Sequence, residues 1–159
     1  MGELPAAAVV LTQVAVPEAL AAACALQKLA VDAVPTPIGA LAWCRDTQDG
    51  APAAVARTIS ALLPAAGVLL LEQRDGQISA SRWTGGTEGP EMSPGLVLDG
   101  APAVVEMLLL GRTTVAEQPG VVSSSMSRWR ATRTLAAVSR ATRRAAKGSG
   151  REAAGGPSA

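Results

Sequence analysis

The chain has 159 residues, 48% of them hydrophobic, which suits one globular domain with an appendage and excludes wholesale disorder. It contains no His, so a Ser-His-Asp triad, a Cys-His pair and imidazole metal ligands are all excluded. It also lacks Phe and Tyr, and Trp43, Trp83 and Trp129 are its only aromatic residues, so the expected core is thin and built largely from Ala, Val and Leu.

The net charge of +1 hides an asymmetry. Residues 1–123 carry six basic and twelve acidic residues, a net of −6, whereas residues 124–159 carry eight basic residues and the single acid Glu152, a net of +7. An acidic body with a basic tail is the main compositional signal. The tail's cations are almost all Arg, in keeping with the 12 Arg and 2 Lys of the whole chain.

In chain order, the Val-rich run Ala6–Val16 predicts a buried strand. Pro17 and Glu18 then open a helix, with Pro in the first turn and the acid near the positive dipole end, and good helix formers continue it to Val31. Pro35 and Pro37 form a loop, and Gly39–Arg45 predicts a second strand. Asp46–Gly50 is turn-like, and Pro52 opens a second helix that Pro64 stops. Gly67–Arg74, with four consecutive aliphatics, predicts a strand buried on both faces. Asp75-Gly76 predicts a two-residue hairpin turn, because both positions tolerate positive φ, and Gln77–Trp83 predicts the returning strand. Thr84–Pro94 reads as a loop and Gly95–Leu98 as a short strand. A third helix runs from Pro102 to Leu110, closed by Gly111. This order predicts the α/β class: a small mixed β-sheet flanked by about three helices.

The compact domain is expected to span residues 1–117. Gln118-Pro119-Gly120 marks its end, residues 118–147 form an Arg-rich segment able to be helical, and residues 148–159 form a low-complexity, disordered tail. No segment predicts a membrane span or a secretory leader, and cytoplasmic residence follows by elimination.

Catalytic patterns are missing. There is no phosphate-binding P-loop, no G-x-G-x-x-G after a strand and no nucleophile elbow. Cys24 and Cys44 read as two buried, reduced thiols rather than a disulfide framework or a zinc site, so no metal or cofactor is expected. Asp46 and Asp49 follow a strand, where α/β enzymes place polar site residues, but turn formation and helix capping account for them. Asp49-Gly50-Ala51-Pro52-Ala53 recurs as Asp99-Gly100-Ala101-Pro102-Ala103, each copy set to follow a strand and begin a helix. That pattern fits either two anion-holding helix N-termini or shared strand-to-helix grammar.

Leu41–Glu72 combines an apolar strand ending in polar residues, a helix, the turn Leu62-Leu63-Pro64-Ala65-Ala66-Gly67 and an aliphatic strand. Over about a fifth of the chain it resembles the later half of class I methyltransferases. The resemblance implies a related α/β topology, with Cys44, Arg45 and Asp46 lining any surviving site. The family's Gly-rich S-adenosylmethionine loop has no counterpart here.

The tail supplies the other candidate. Arg133, Arg140 and Lys147 repeat every seven residues with Arg144 on the same helical face, and Ala131, Leu135, Val138, Thr142 and Ala145 lie opposite. With Arg128, Trp129, Arg130 and Arg143 these cations could neutralise several phosphates while Trp129 stacks on a base. The alternative is a basic appendage resting on the body's own acidic surface, with Trp129 docked in an apolar groove. The apolar face is too poor for membrane insertion. The resulting expectation is a non-enzymatic interaction or regulatory domain whose tail engages an acidic protein or nucleic acid, in a homo- or hetero-oligomer or alone. The rival is a minimal methyltransferase-like enzyme.

Overall fold

A computed structural model describes residues 4–154, with side chains through Lys147. β1 (Ala7–Leu11) is buried on both faces at every position, so it forms the centre of the sheet rather than an edge. α1 (Pro17–Leu26) follows, and Lys28 takes a left-handed φ of 58° that ends the helical path and turns the chain back. β2 (Val31–Val34) and β3 (Leu41–Cys44) then form an antiparallel pair, α2 (Ala51–Leu62) crosses over, and β4 (Val68–Arg74) returns beside β1. β1 and β2 are thereby split by β3, and β3 and β4 by β1, the β-α-β-β-α-β arrangement of ferredoxin-like folds.

β5 (Gln77–Thr84) and β6 (Thr87–Met92) extend the sheet on one side and β7 (Val122–Ser123) on the other. The strand order is β6-β5-β4-β1-β3-β2-β7. The expected α/β class holds: helices flank a sheet. Every described pairing is antiparallel, so the sheet is not mixed, and the described residues form five α-helices rather than about three.

The differences have local causes. The helix expected to reach Val31 ends at Leu26, and β2 starts at Val31 because β3 offers it a paired edge. The predicted Asp75-Gly76 turn is present, with φ of 54° and 81°. The expected loop Thr84–Pro94 holds a second hairpin, turned by Gly85 and Gly86 at φ of 58° and 84°. Its strand β6 contains Pro90, which an edge strand tolerates because one side of its backbone faces solvent. Gly95–Leu98, expected as a strand, lies in α3 (Pro94–Gly100), which leads into α4 (Ala103–Leu109). A short 3-10 turn follows at Val115–Glu117.

Alternation along the strands divides the core. Ala8, Val10, Ala33, Ala42, Cys44 and Leu70 face α1 and α2, while Val9, Leu11, Val34, Leu41 and Leu71 face α3 and α4. Small residues dominate the first side, where Ala21 and Ala56 from the two helices are fully buried, so those helices lie close on the sheet. Trp83 is the one buried aromatic there, with the Arg57 guanidinium 5.6 Å from its ring centre.

The chain remains part of the body beyond Gln118. β7 adds to the edge of β2, and Ser124 is buried. Gln118-Pro119-Gly120 is therefore a connection within the domain, not its boundary. α5 (Arg128–Ala154) then runs for 27 residues, or about 40 Å. It includes positions 148–154, which composition assigned to a disordered tail; residues 155–159 of that tail lie outside the described residues.

Candidate functional site

The root of α5 is fixed by a serine cluster. The Ser124 hydroxyl donates to the Leu29 carbonyl (2.6 Å) and accepts from the Val31 N–H (3.0 Å), while the Ser124 N–H donates to the Val31 carbonyl (2.9 Å). Arg45, at the end of β3, donates from Nη2 to Ser124 Oγ and from Nη1 to Ser125 Oγ, each at 3.0 Å, and its Nε lies 3.6 Å from Asp32 Oδ1. These bonds tie α5's lead-in to β2 and β3. Ser127 caps the helix: its Oγ accepts the Arg130 N–H at 3.1 Å, satisfying a first-turn donor that would otherwise face water.

One face of α5 lies on α1. Ala131 is fully buried there, and Thr134, Leu135 and Val138 are half-buried. Leu135 reaches an apolar cleft lined by Val14, Leu20, Cys24, Ile59 and Leu63 of the α1–α2 side. From Ser139 to Lys147 every residue is exposed, so the helix projects past the body into solvent.

The opposite face carries the predicted residues. Trp129 is 68% exposed, and the Arg133 guanidinium lies 4.5 Å from its ring centre. An open groove runs along this face past Ser127, Trp129, Arg130, Arg133, Ala137 and Arg140. Arg144 and Lys147 continue the same stripe by helical periodicity, and Arg128 and Arg143 are exposed at its flanks. Both ion pairs among the described residues, Arg45–Asp32 and Arg74–Glu72, belong to the body, so the tail cations through Lys147 have no carboxylate partner among the described residues. The tail helix rests on the body through the apolar face that meets α1, and its described cations form no ion pair with the body's acidic residues. Trp129 does not dock in an apolar groove; Leu135 does.

The residues implied by the methyltransferase resemblance do not converge. Cys44 is buried in the core, Arg45 is engaged with Asp32 and the serines, and Asp46 accepts the Gln48 N–H at 3.0 Å in a local turn. The strand–helix–strand of Leu41–Glu72 does form, but β1 separates β3 from β4 and the pairings are antiparallel, so the likeness is one of local grammar. The repeated Asp-Gly-Ala-Pro-Ala marks the starts of α2 and α4, yet neither helix start has a side-chain cap, and the second copy begins in the last turn of α3 rather than after a strand. No group of three or more His, Cys, Asp or Glu suited to a metal occurs among the described residues. None of the described helices is long and apolar enough to cross a membrane.

Both thiols are unsuited to nucleophilic chemistry. Burial pushes Cys24 up to about 12, and burial together with the nearby Cys24, Glu72 and Asp46 pushes Cys44 up to about 12, from an ordinary 9.0. Folded protein at pH 8 is expected to resist iodoacetamide, with both thiols alkylated only on unfolding; rapid labelling of the native state would contradict the core placement. The sign of the linkage follows. The unfolded thiols ionise first, so stability should fall as pH rises above 9.0.

The Arg45–Asp32–Ser124–Ser125 cluster has no signature in the sequence, where Ser123–Ser125 form a polar run. Its members come from three strand ends, and only their pairing order brings them together. No family model, curated protein or solved structure matches this chain.

Proposed function

We propose that this chain is a non-enzymatic interaction protein of the cytoplasm whose projecting helix α5 engages an acidic partner. The observation that carries the reading is the row of exposed Arg130, Arg133, Arg140 and Arg144, on the side of α5 turned away from α1 and without a carboxylate partner among the described residues. Such a row keeps its cations hydrated and unneutralised until a polyanion displaces counterions from itself by binding. The serine clasp and the Ser127 cap hold the arm in one direction from the body. The acidic body favours this division of labour, because its net charge of −6 over residues 1–123 repels a polyanion and makes the arm the attractive element.

Heparin, used as a generic polyanion, tests the reading. The full chain is expected to be retained on immobilised heparin and released by salt. A variant with Arg130→Ala, Arg133→Ala, Arg140→Ala and Arg144→Ala should elute at markedly lower salt with an unchanged melting temperature, since all four side chains are exposed. Equal retention of the two proteins would remove α5 as the binding element.

A further inference from the structure

We infer that the acidic partner is a single-stranded nucleic acid, held by a base stacked on Trp129 and by phosphates along α5; this rests on the reading of α5 as a binding arm. A row of cations alone suits any polyanion, so the deciding feature is Trp129. It is the most exposed of the three tryptophans, and it fills no cavity of the body. The Arg133 guanidinium lies over the ring, 4.5 Å from its centre, and the tryptophan as a whole is 68% exposed, so a base can stack on the indole or on the guanidinium that extends it. The carboxylates of an acidic peptide pair with guanidinium edges and do not stack on such a platform. An unpaired base stacks on both indole and guanidinium planes.

The spacing of the groove fits the same ligand. Arg130 and Arg133 stand at one end and Arg140 at the other, with the small Ala137 between them. Arg133 and Arg140 are seven residues apart, or about 10 Å along the helix. The small Ala137 side chain between Arg133 and Arg140 leaves room for a base whose flanking phosphates reach the arginines on either side. Arg144 and Lys147 then continue the cationic row one turn at a time. A duplex would offer phosphates to these side chains but keep its bases stacked on each other, so it could not use Trp129. A membrane surface is disfavoured because the apolar residues Ala131, Leu135 and Val138 of α5 are taken up against the body.

The test uses the full chain with three probes: a mixed-sequence single-stranded RNA oligonucleotide, the same sequence as a duplex, and poly-glutamate. The single strand is expected to bind most tightly, to quench tryptophan emission, and to weaken steeply with salt. Trp129→Ala should weaken single-strand binding about 5- to 100-fold and abolish the quenching, while leaving poly-glutamate binding and the melting temperature unchanged. Replacing the four arginines should flatten the dependence of log affinity on log salt by about three. If duplex or poly-glutamate binds as well as the single strand and Trp129→Ala has no effect, the nucleic-acid inference is overturned while the acidic-partner reading stands. If none of the three probes binds at low salt, both fall.

Discussion

Gly39→Ala is expected to cost the fold at least about 4 kcal/mol, enough to leave little native protein in a domain of ordinary stability. Gly39 has φ of +134°, and a Cβ placed there would lie 2.4 Å from the Thr12 carbonyl oxygen and 2.9 Å from Gln13 Cα. Both are backbone atoms of the segment leaving β1, so no side chain can turn aside. The contact sits where β3 begins its pairing with β1: Ala40 N–H donates to the Val14 carbonyl at 2.7 Å, and the Ala40 carbonyl accepts from both the Thr12 N–H and the Thr12 hydroxyl. Relieving the clash means parting these bonds at the centre of the sheet. Gly76→Ala is the control. Its φ of +81° lies near the left-handed well, a milder strain for an L side chain than +134°, and no atom beyond its chain neighbours lies within 4 Å of the added Cβ. It should cost about 1–2 kcal/mol, the penalty of the left-handed conformation alone. Urea melts of the two variants separate the terms, and similar losses for both would refute the close backbone approach.

Gln73→Leu should destabilise by about 3 kcal/mol despite keeping the size of the side chain. Gln73 is fully buried at the end of β4, and its amide joins three parts of the chain. Nε2 donates to the Pro5 carbonyl (2.9 Å) and the Leu109 carbonyl (3.2 Å), and Oε1 accepts the Gly76 N–H (3.0 Å). Leucine would leave the buried Leu109 carbonyl without this donor, and would remove the half-buried bonds to the Pro5 carbonyl and from the Gly76 N–H. Gln73→Glu gives a test with a sign. A carboxylate would aim negative charge at two carbonyl oxygens, so the folded state should hold the group protonated, its titration raised above the ordinary range near 4.3. The variant's stability is then highest below about pH 4 and falls as pH rises toward neutrality, relative to the parent chain. A variant whose melting temperature tracks the parent from acid to neutral pH would show that Gln73 does not face those carbonyls.

Much of the architecture was legible from local chemistry. Pro17 and Pro52 begin helices because proline's missing N–H costs nothing in a first turn. Asp75-Gly76 turns a hairpin because both residues accept positive φ. Alternation and capping likewise placed β4, β5 and α4. The basic face of α5 was visible as a seven-residue spacing of Arg133, Arg140 and Lys147, since helical periodicity alone puts them on one side.

What stayed hidden depended on partners distant in the chain. Val31–Val34 is too short to declare itself and becomes a strand only because β3 pairs with it. Gly95–Leu98 has strand-like composition but lies over the second face of the sheet, where helix α3 buries Val97. The antiparallel order followed from β1 entering between β3 and β4, a long-range choice with no local signature. The same holds for the arm. Composition by itself determined that a basic, arginine-rich segment follows an acidic body. Only the tertiary structure decided which face of that segment is free, because burying Ala131 and Leu135 against the body turns Trp129 and the arginines toward solvent, and because Arg45 and Ser124, 79 residues apart, fix where the helix starts.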